Sequence, residues 1–173
     1  MISTEHLLFE KPSPNDFQRF YEINSDPETN LYNPHGPMSY ENAEIQFNRI
    51  LNHWEEFGFG TWKIVEKENP DFVIGFGGIS YRNYGEETKL NLGYRLDKNC
   101  WGKGYASLLA QNAINWAFKE LGANEIFALV RPKNLASIRV LEKCQMTLVD
   151  TLDDVPNEEK SLVFRITKEM GPS

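Results

Sequence analysis

The sequence predicts an α/β protein: a single domain over residues 1–173, with a mixed, mostly antiparallel central sheet flanked by helices. Three observations carry this expectation. Two segments of helical periodicity come first, three short-connected strand segments follow, and a strand–helix–strand alternation comes after them. Short connections join antiparallel neighbours, whereas a helix between two strands is the crossover of a parallel pair. A chain of 173 residues is the size of one ordinary domain and can bury a core without staples.

The elements follow in chain order. Residues 6–9 read as a first strand. Ser13-Pro14-Asn15-Asp16 starts a helix: Ser13 caps, Pro14 occupies the first helical position, and Asp16 favours the positive end. Phe17, Phe20, Tyr21 and Ile23 form its apolar face. The stretch 30–38, with Pro34, Gly36 and Pro37, is a loop. Ser39 caps a second helix whose buried side is read as Ile45, Ile50, Leu51 and Trp54, and Gly58 and Gly60 stop it. Strands are expected at 61–66, 73–81 and 89–96, joined by polar connections at 67–71 and 82–87. A long helix is expected over 102–121, with Leu108, Leu109, Ala113, Trp116 and Ala117 at helical spacing and Gly122-Ala123-Asn124 ending it. A buried strand at 125–130, a helix capped by Asn134 and ending near Lys143, and strands near 146–151 and 161–167 complete the pattern.

Composition narrows the function. Eighteen basic against 25 acidic residues give a net charge of −7, without the basic stripe of a nucleic-acid binder. The longest apolar run, 72–79, is too short to span a bilayer, and the N-terminus carries no signal-peptide pattern. Cys100 and Cys144 form no CxxC pair, which suits a reducing compartment, and a cytoplasmic location is expected. His6, His35 and His53 have no metal-ligand spacing, so no metal is expected.

The informative segment is Leu92-Gly93-Tyr94-Arg95-Leu96-Asp97-Lys98-Asn99-Cys100-Trp101-Gly102-Lys103-Gly104-Tyr105-Ala106. A strand ends, a loop turns, and a helix opens on glycines. The first N–H groups of a helix lack intrahelical acceptors, and the helix dipole adds partial positive charge, so such a start receives phosphate groups. Gly102 and Gly104 lack a Cβ and let a ligand approach the backbone, while Lys103 adds charge at the rim. The P-loop pattern GxxxxGK[ST] fails, because Lys103 is followed by Gly104. The dinucleotide pattern GxGxxG is two-thirds matched but ends on Ser107, and a meander precedes it instead of a βαβ unit. The loop alone leaves open a dinucleotide, the diphosphate of coenzyme A, or a glycine-rich helix start that binds nothing.

Order and spacing carry a resemblance beyond the loop. Asn99-Cys100-Trp101-Gly102-Lys103-Gly104 resembles the Q/R-x-x-G-x-G/A motif of the GNAT acetyltransferase superfamily, with Asn99 where Gln or Arg is usual. The continuation Tyr105-Ala106 and the block Asn134-Leu135-Ala136-Ser137-Ile138-Arg139-Val140-Leu141-Glu142-Lys143 resemble its RimJ/RimL-like branch, which acetylates ribosomal-protein N-termini. A weaker match is Ser25-Asp26-Pro27-Glu28-Thr29-Asn30-Leu31-Tyr32, and together the resemblance spans about residues 6–168. The chain departs from the pattern at Leu108, where a Glu is frequent, and at Gln145-Met146, where Gly–Phe is usual.

The resemblance implies an acetyl-CoA-dependent N-acetyltransferase that moves the acetyl group to a primary amine by direct attack. The amine is a protein N-terminal α-amino group or a small molecule, and the enzyme is a monomer or homodimer without nucleic-acid or membrane partners. It implies that Tyr94 and Leu96 pair with the pantetheine arm between two splayed strands. The coenzyme loop would comprise Asn99, Trp101, Gly102, Lys103, Gly104, Tyr105 and Ala106. Asn134 would bond the coenzyme arm, and Ser137 or Tyr94 would protonate or position the sulfur. Asn134 as a plain helix cap and Tyr94 as a core tyrosine are the competing readings. His35, Tyr32 and Trp54 are expected on the acceptor side, with Phe57, Phe59 and Tyr84 as further aromatic candidates. Cys100 lacks a neighbouring histidine and is read as structural. A catalytically weak acyl-CoA-binding sensor is the alternative function.

Overall fold

A computed structural model describes residues 2–169; Met1, where the signal-peptide comparison begins, lies outside the described residues. The chain divides into two compact units, Met1–Gly78 with Tyr94–Tyr105, and Ile79–Gly93 with Ala106–Ser173. The fold class is as expected: α-helices with mostly antiparallel strands. Among the described residues, no helix is long and apolar enough to cross a membrane.

In the first unit, β1 (Ile2–Ser3), β2 (Leu7–Glu10), β3 (Thr61–Glu66) and the first part of β4 (Asn69–Tyr84) pair antiparallel in that order. Asp16 accepts from the Ser13 backbone N–H at 2.7 Å and closes a single 3-10 turn over Pro14–Asp16. The turn leads into α1 (Phe17–Ser25), and Ser39 caps α2 (Tyr40–Phe57) by accepting from the Asn42 N–H. Phe20 and Ile23 of α1 meet Ala43 and Phe47 of α2, with Val65, Val73 and Phe76 of the strands, in one apolar cluster.

The α2 face differs from the expected one. The buried stripe runs through Ala43 and Phe47 and on to partly buried Ile50 and Leu51, whereas Ile45 is 44% exposed. At about 100° per residue, a position two beyond Ala43 lies on the far side of the helix. Gly58, at φ 73°, ends α2 by returning its N–H to the Trp54 carbonyl.

In the second unit, the first part of β5 (Glu87–Leu96) pairs in parallel with β6 (Glu125–Val130) at Asn91↔Phe127. The crossover between them is α3 (Tyr105–Lys119), as the strand–helix–strand pattern predicts. β6 pairs antiparallel with β8 (Ser161–Thr167), and β8 with β7 (Thr147–Leu152). α3 buries Leu109, Ala110, Ala113, Ile114, Ala117 and Phe118. α4 (Leu135–Lys143) follows β6.

Several strand and helix boundaries depart from expectation. β4 and β5 are longer, so their connection shrinks to a turn at Gly85, where φ is 67°. The β3–β4 connection shrinks likewise to residues 67–68. α3 starts at Tyr105 and not at residue 102, because Gly102 and Gly104 both hold φ 78°, a conformation a right-handed helix does not take.

Candidate active site

The end of β5 is pinned before the glycine loop begins. The Asp97 N–H donates to the Ile74 carbonyl at 2.8 Å, and the Asp97 carboxylate receives Arg19 Nη2 at 2.7 Å. Burial pushes the Asp97 carboxyl up, but the Arg19 hydrogen bond and the Asn99 N–H outweigh it and hold it below the usual range. A 3-10 turn, Lys98–Cys100, follows. Asn99 gives both its backbone N–H and its side-chain amide to Asp97 Oδ1, at 2.9 and 3.0 Å. Trp101 is half exposed, and its indole N–H returns to the Leu96 carbonyl at 3.2 Å.

At Gly102 and Gly104 a Cβ would meet nothing within 4 Å, so the backbone stands open on that side. Tyr105 then starts α3, and the residue before it, Gly104, has no side chain with which to cap the helix. The first-turn N–H groups of α3 lack intrahelical acceptors, at the positive end of a helix of 15 residues. The arrangement fits a diphosphate: donors from backbone, no Cβ in the way, and a lysine at the rim.

Lys103 is not a free rim charge. Its Nζ lies 3.0 Å from Glu66 Oε1, the same oxygen that accepts the Tyr105 hydroxyl at 2.7 Å. These hydrogen bonds, Tyr105 first and then Lys103, hold the Glu66 carboxyl below the usual range. The same bonds raise the Tyr105 hydroxyl and the Lys103 ammonium. Cys100 is buried, which pushes its thiol up and keeps it protonated, consistent with a structural role.

Among the acceptor-side candidates, Trp54 donates its indole N–H to the Thr61 carbonyl at 2.7 Å and is half buried. Tyr32 and His35 are exposed in a turn-rich segment, where the His35 N–H donates to Asn33 Oδ1 at 3.1 Å. Phe59 is buried, with the His53 ring 5.2 Å away. Tyr94 is half buried on β5.

In the second unit, Ala106 continues the first turn of α3. Asn134 caps α4, its side-chain oxygen accepting from the Ser137 N–H at 3.2 Å. The competing cap reading of Asn134 is therefore real, and it occupies one lone pair only. Tyr84 is buried against Phe127 and Val163, and its hydroxyl donates to Asn91 Oδ1 at 2.5 Å.

Glu66, Arg19 and Arg95 escaped the sequence reading. Glu66 lies 39 residues before Tyr105 and Arg19 lies 78 before Asp97, and no local spacing rule connects such positions.

The fold and the loop define a class of protein. The Acetyltransferase (GNAT) domain family matches residues 6–147, so the chain belongs to that family. It is an acetyl-CoA-dependent N-acetyltransferase, as the family and its relatives' names support. The chain is 32% identical over 146 residues to the uncharacterised N-acetyltransferase YnaD of Bacillus subtilis (strain 168), covering 84% of this chain and 81% of that one. It is 30% identical over 163 residues to the uncharacterised N-acetyltransferase p20 of Bacillus licheniformis, covering 94% and 90%. A crystal structure of an acetyltransferase from Agrobacterium tumefaciens str. C58 superposes with a TM-score of 0.81 at 27% identity, covering 96% of this chain and 94% of that one.

Proposed function

We propose that the segment Trp101-Gly102-Lys103-Gly104-Tyr105-Ala106 grips the diphosphate of acetyl-CoA, and that the acceptor is an amine of modest basicity, a protein N-terminal α-amino group or a small-molecule amine. The observation that carries the first part is the pair of open, left-handed glycines ahead of a helix start without a capping side chain. Lys103 reaches a bound phosphate only by leaving Glu66 or by sharing its three donors with it. The block from Asn134 to Lys143 supports placement in the RimJ/RimL-like branch.

The reaction is direct transfer. The neutral amine nitrogen attacks the thioester carbonyl carbon, the C–S bond breaks, the sulfur leaves as thiolate and takes a proton, and the new amide loses one. Coenzyme A supplies the thioester; the protein holds it, orients it and manages the two protons. The backbone groups of Tyr94 and Leu96 are assigned to the pantetheine arm, Asn134 to the same arm through the lone pair its cap bond leaves over, and Ser137 or Tyr94 to the proton taken up by sulfur. An α-amino group has a free pKa of about 8 and a lysine amine one of about 10.4, so an α-amine is substantially neutral near pH 8 without a strong base. The first turns of α3, residues 106–110, carry no carboxylate, with Leu108 where the family often has Glu, and this favours the less basic acceptor class. Tyr32, His35 and Trp54 are the acceptor-side candidates.

The test is a thermal-shift titration with CoA, then turnover with a panel of a free-N-terminus peptide, a free amino acid and spermidine. Transfer to the peptide or amino acid supports the reading. Binding without any transfer supports an acyl-CoA sensor instead, and stabilisation by NAD but not CoA refutes the coenzyme A assignment in favour of a dinucleotide. Within this test, Ser137→Ala is expected to lower kcat by about 10²-fold, in the range of a lost general acid; an unchanged rate removes Ser137 from catalysis.

A further inference from the structure

Arg95 is a cation largely buried on β5, and its hydrogen-bond partners among the described residues are amide oxygens and not carboxylates. Its Nη1 donates to Asn30 Oδ1 at 2.7 Å and to Asn24 Oδ1 at 3.1 Å. Burial lowers its pKa from the ordinary guanidinium value, with no neighbouring charge offsetting the effect. A desolvated guanidinium held by two amide dipoles is an expensive arrangement, so placement and not stability is the natural gain.

The two asparagines organise the segment that carries Tyr32 and His35. Asn24, near the end of α1, receives the Asn30 side-chain amide on its carbonyl at 2.7 Å and the Met38 N–H on the same carbonyl at 2.9 Å. Asn30 also reaches the Asp26 carbonyl at 2.8 Å. Asn33 donates its amide to Asn30 Oδ1 and to the Gly36 carbonyl, both at 3.1 Å, and its Oδ1 receives the His35 N–H. A hydrogen-bond relay thus runs from Arg95 through Asn30 and Asn33 to His35. An outer contact follows the same course: Lys98 lies 3.0 Å from both Asp26 and Glu28. The Lys98 pairs are surface-exposed and individually weak, which leaves Arg95 as the inner post.

We propose that Arg95 is a positioning residue for the acceptor: it fixes the 26–38 segment to the strand that leads into the coenzyme loop, and so sets where the amine meets the thioester. This rests on the acceptor-side reading of Tyr32 and His35. Arg95 acts on the acceptor side through Asn24 and Asn30.

The test compares Arg95→Met, which keeps length but donates nothing, with Arg95→Lys, which donates to the asparagines without the fork. Hydrogen exchange is read over 26–38 and over 99–106, CoA affinity by calorimetry, and KM with whichever panel amine the wild type turns over fastest. For Arg95→Met, exchange over 26–38 rises on the order of tenfold. KM for the amine rises by roughly tenfold as well, while CoA affinity stays within about twofold. Arg95→Lys recovers part of both effects and supplies the same readings should the Met variant not fold. Unchanged exchange over 26–38 in a folded variant overturns the proposal, and so does an equal loss in CoA and amine affinity. A wild type that ignores CoA sinks the acetyltransferase site and leaves the exchange comparison to decide the role of Arg95 by itself.

Discussion

Glu66, the last residue of β3, accepts the hydroxyl proton of Tyr105, the first residue of α3, at 2.7 Å. A carboxylate thus anchors the helix start whose amides are proposed to hold an anion. It fixes the first turn, and it also places a negative charge beside the diphosphate and engages Lys103 at 3.0 Å. Glu66→Gln keeps an acceptor for Tyr105 while releasing Lys103. CoA affinity is expected to rise a few-fold at low salt, with the gain shrinking as ionic strength screens the charge. Calorimetric titrations at two salt concentrations check this.

Gly102→Ala separates binding from folding. At φ 78° an alanine is strained by about 1–2 kcal/mol, yet its Cβ meets no protein atom within 4 Å. The Tm is expected to fall by only a few degrees for that strain in a chain of this size. CoA affinity is expected to fall at least about tenfold, since the methyl occupies the face the diphosphate would approach. Equal affinity in a folded variant removes Gly102 from the site.

Gly75→Ala reports on the strand that leads into the loop. A Cβ there would lie 2.5 Å from Leu96 Cδ2 and 2.8 Å from the Arg95 carbonyl, so backbone must move. A loss of about 1–3 kcal/mol is expected in chemical denaturation.

The Arg19–Asp97 pair makes stability depend on pH. The folded Asp97 pKa is depressed, so its contribution is present above the unfolded value of about 3.9 and is lost as pH falls through the folded value. Asp97→Asn is expected to lose about 2 kcal/mol at pH 7, a charged hydrogen bond's worth. The gap in stability between wild type and variant closes below about pH 4. A gap that does not change with pH contradicts the assignment.

Gln145 holds φ 65° just after α4, with Met146 N–H returning to the Leu141 carbonyl at 3.0 Å. This is the helix-ending position that favours glycine, and Met146 behind it is buried. The sequence departure from Gly–Phe therefore leaves the turn intact and charges it with strain. Gln145→Gly is expected to stabilise the protein by about 0.5–1 kcal/mol, the relief of strain less the added freedom of the unfolded chain.

What the sequence disclosed followed the range of its signals. The edges of β3, β6, α4 and β8 and the cap at Asn134 rest on local periodicity and capping chemistry, and they fall where expected. The glycine loop was legible because its two glycines and helix start lie within a few residues. The buried face of α2 was misjudged, since Ile45 is apolar yet two residues out of step with Ala43. Glu66, Arg19 and Arg95 reach partners 37 to 78 residues away, through contacts that exist only once the strands are paired. Polar residues of that kind carry no periodic mark.

The most direct measurement is a thermal-shift comparison of CoA with 4′-phosphopantetheine, which shares the arm and lacks the diphosphate. At a hundredfold excess over its dissociation constant, CoA should stabilise the protein by about 2.7 kcal/mol. The truncated compound at the same concentration should do far less, and Gly102→Ala should abolish most of the difference. Equal shifts from the two ligands, or no shift with millimolar CoA, would contradict a diphosphate held by the start of α3.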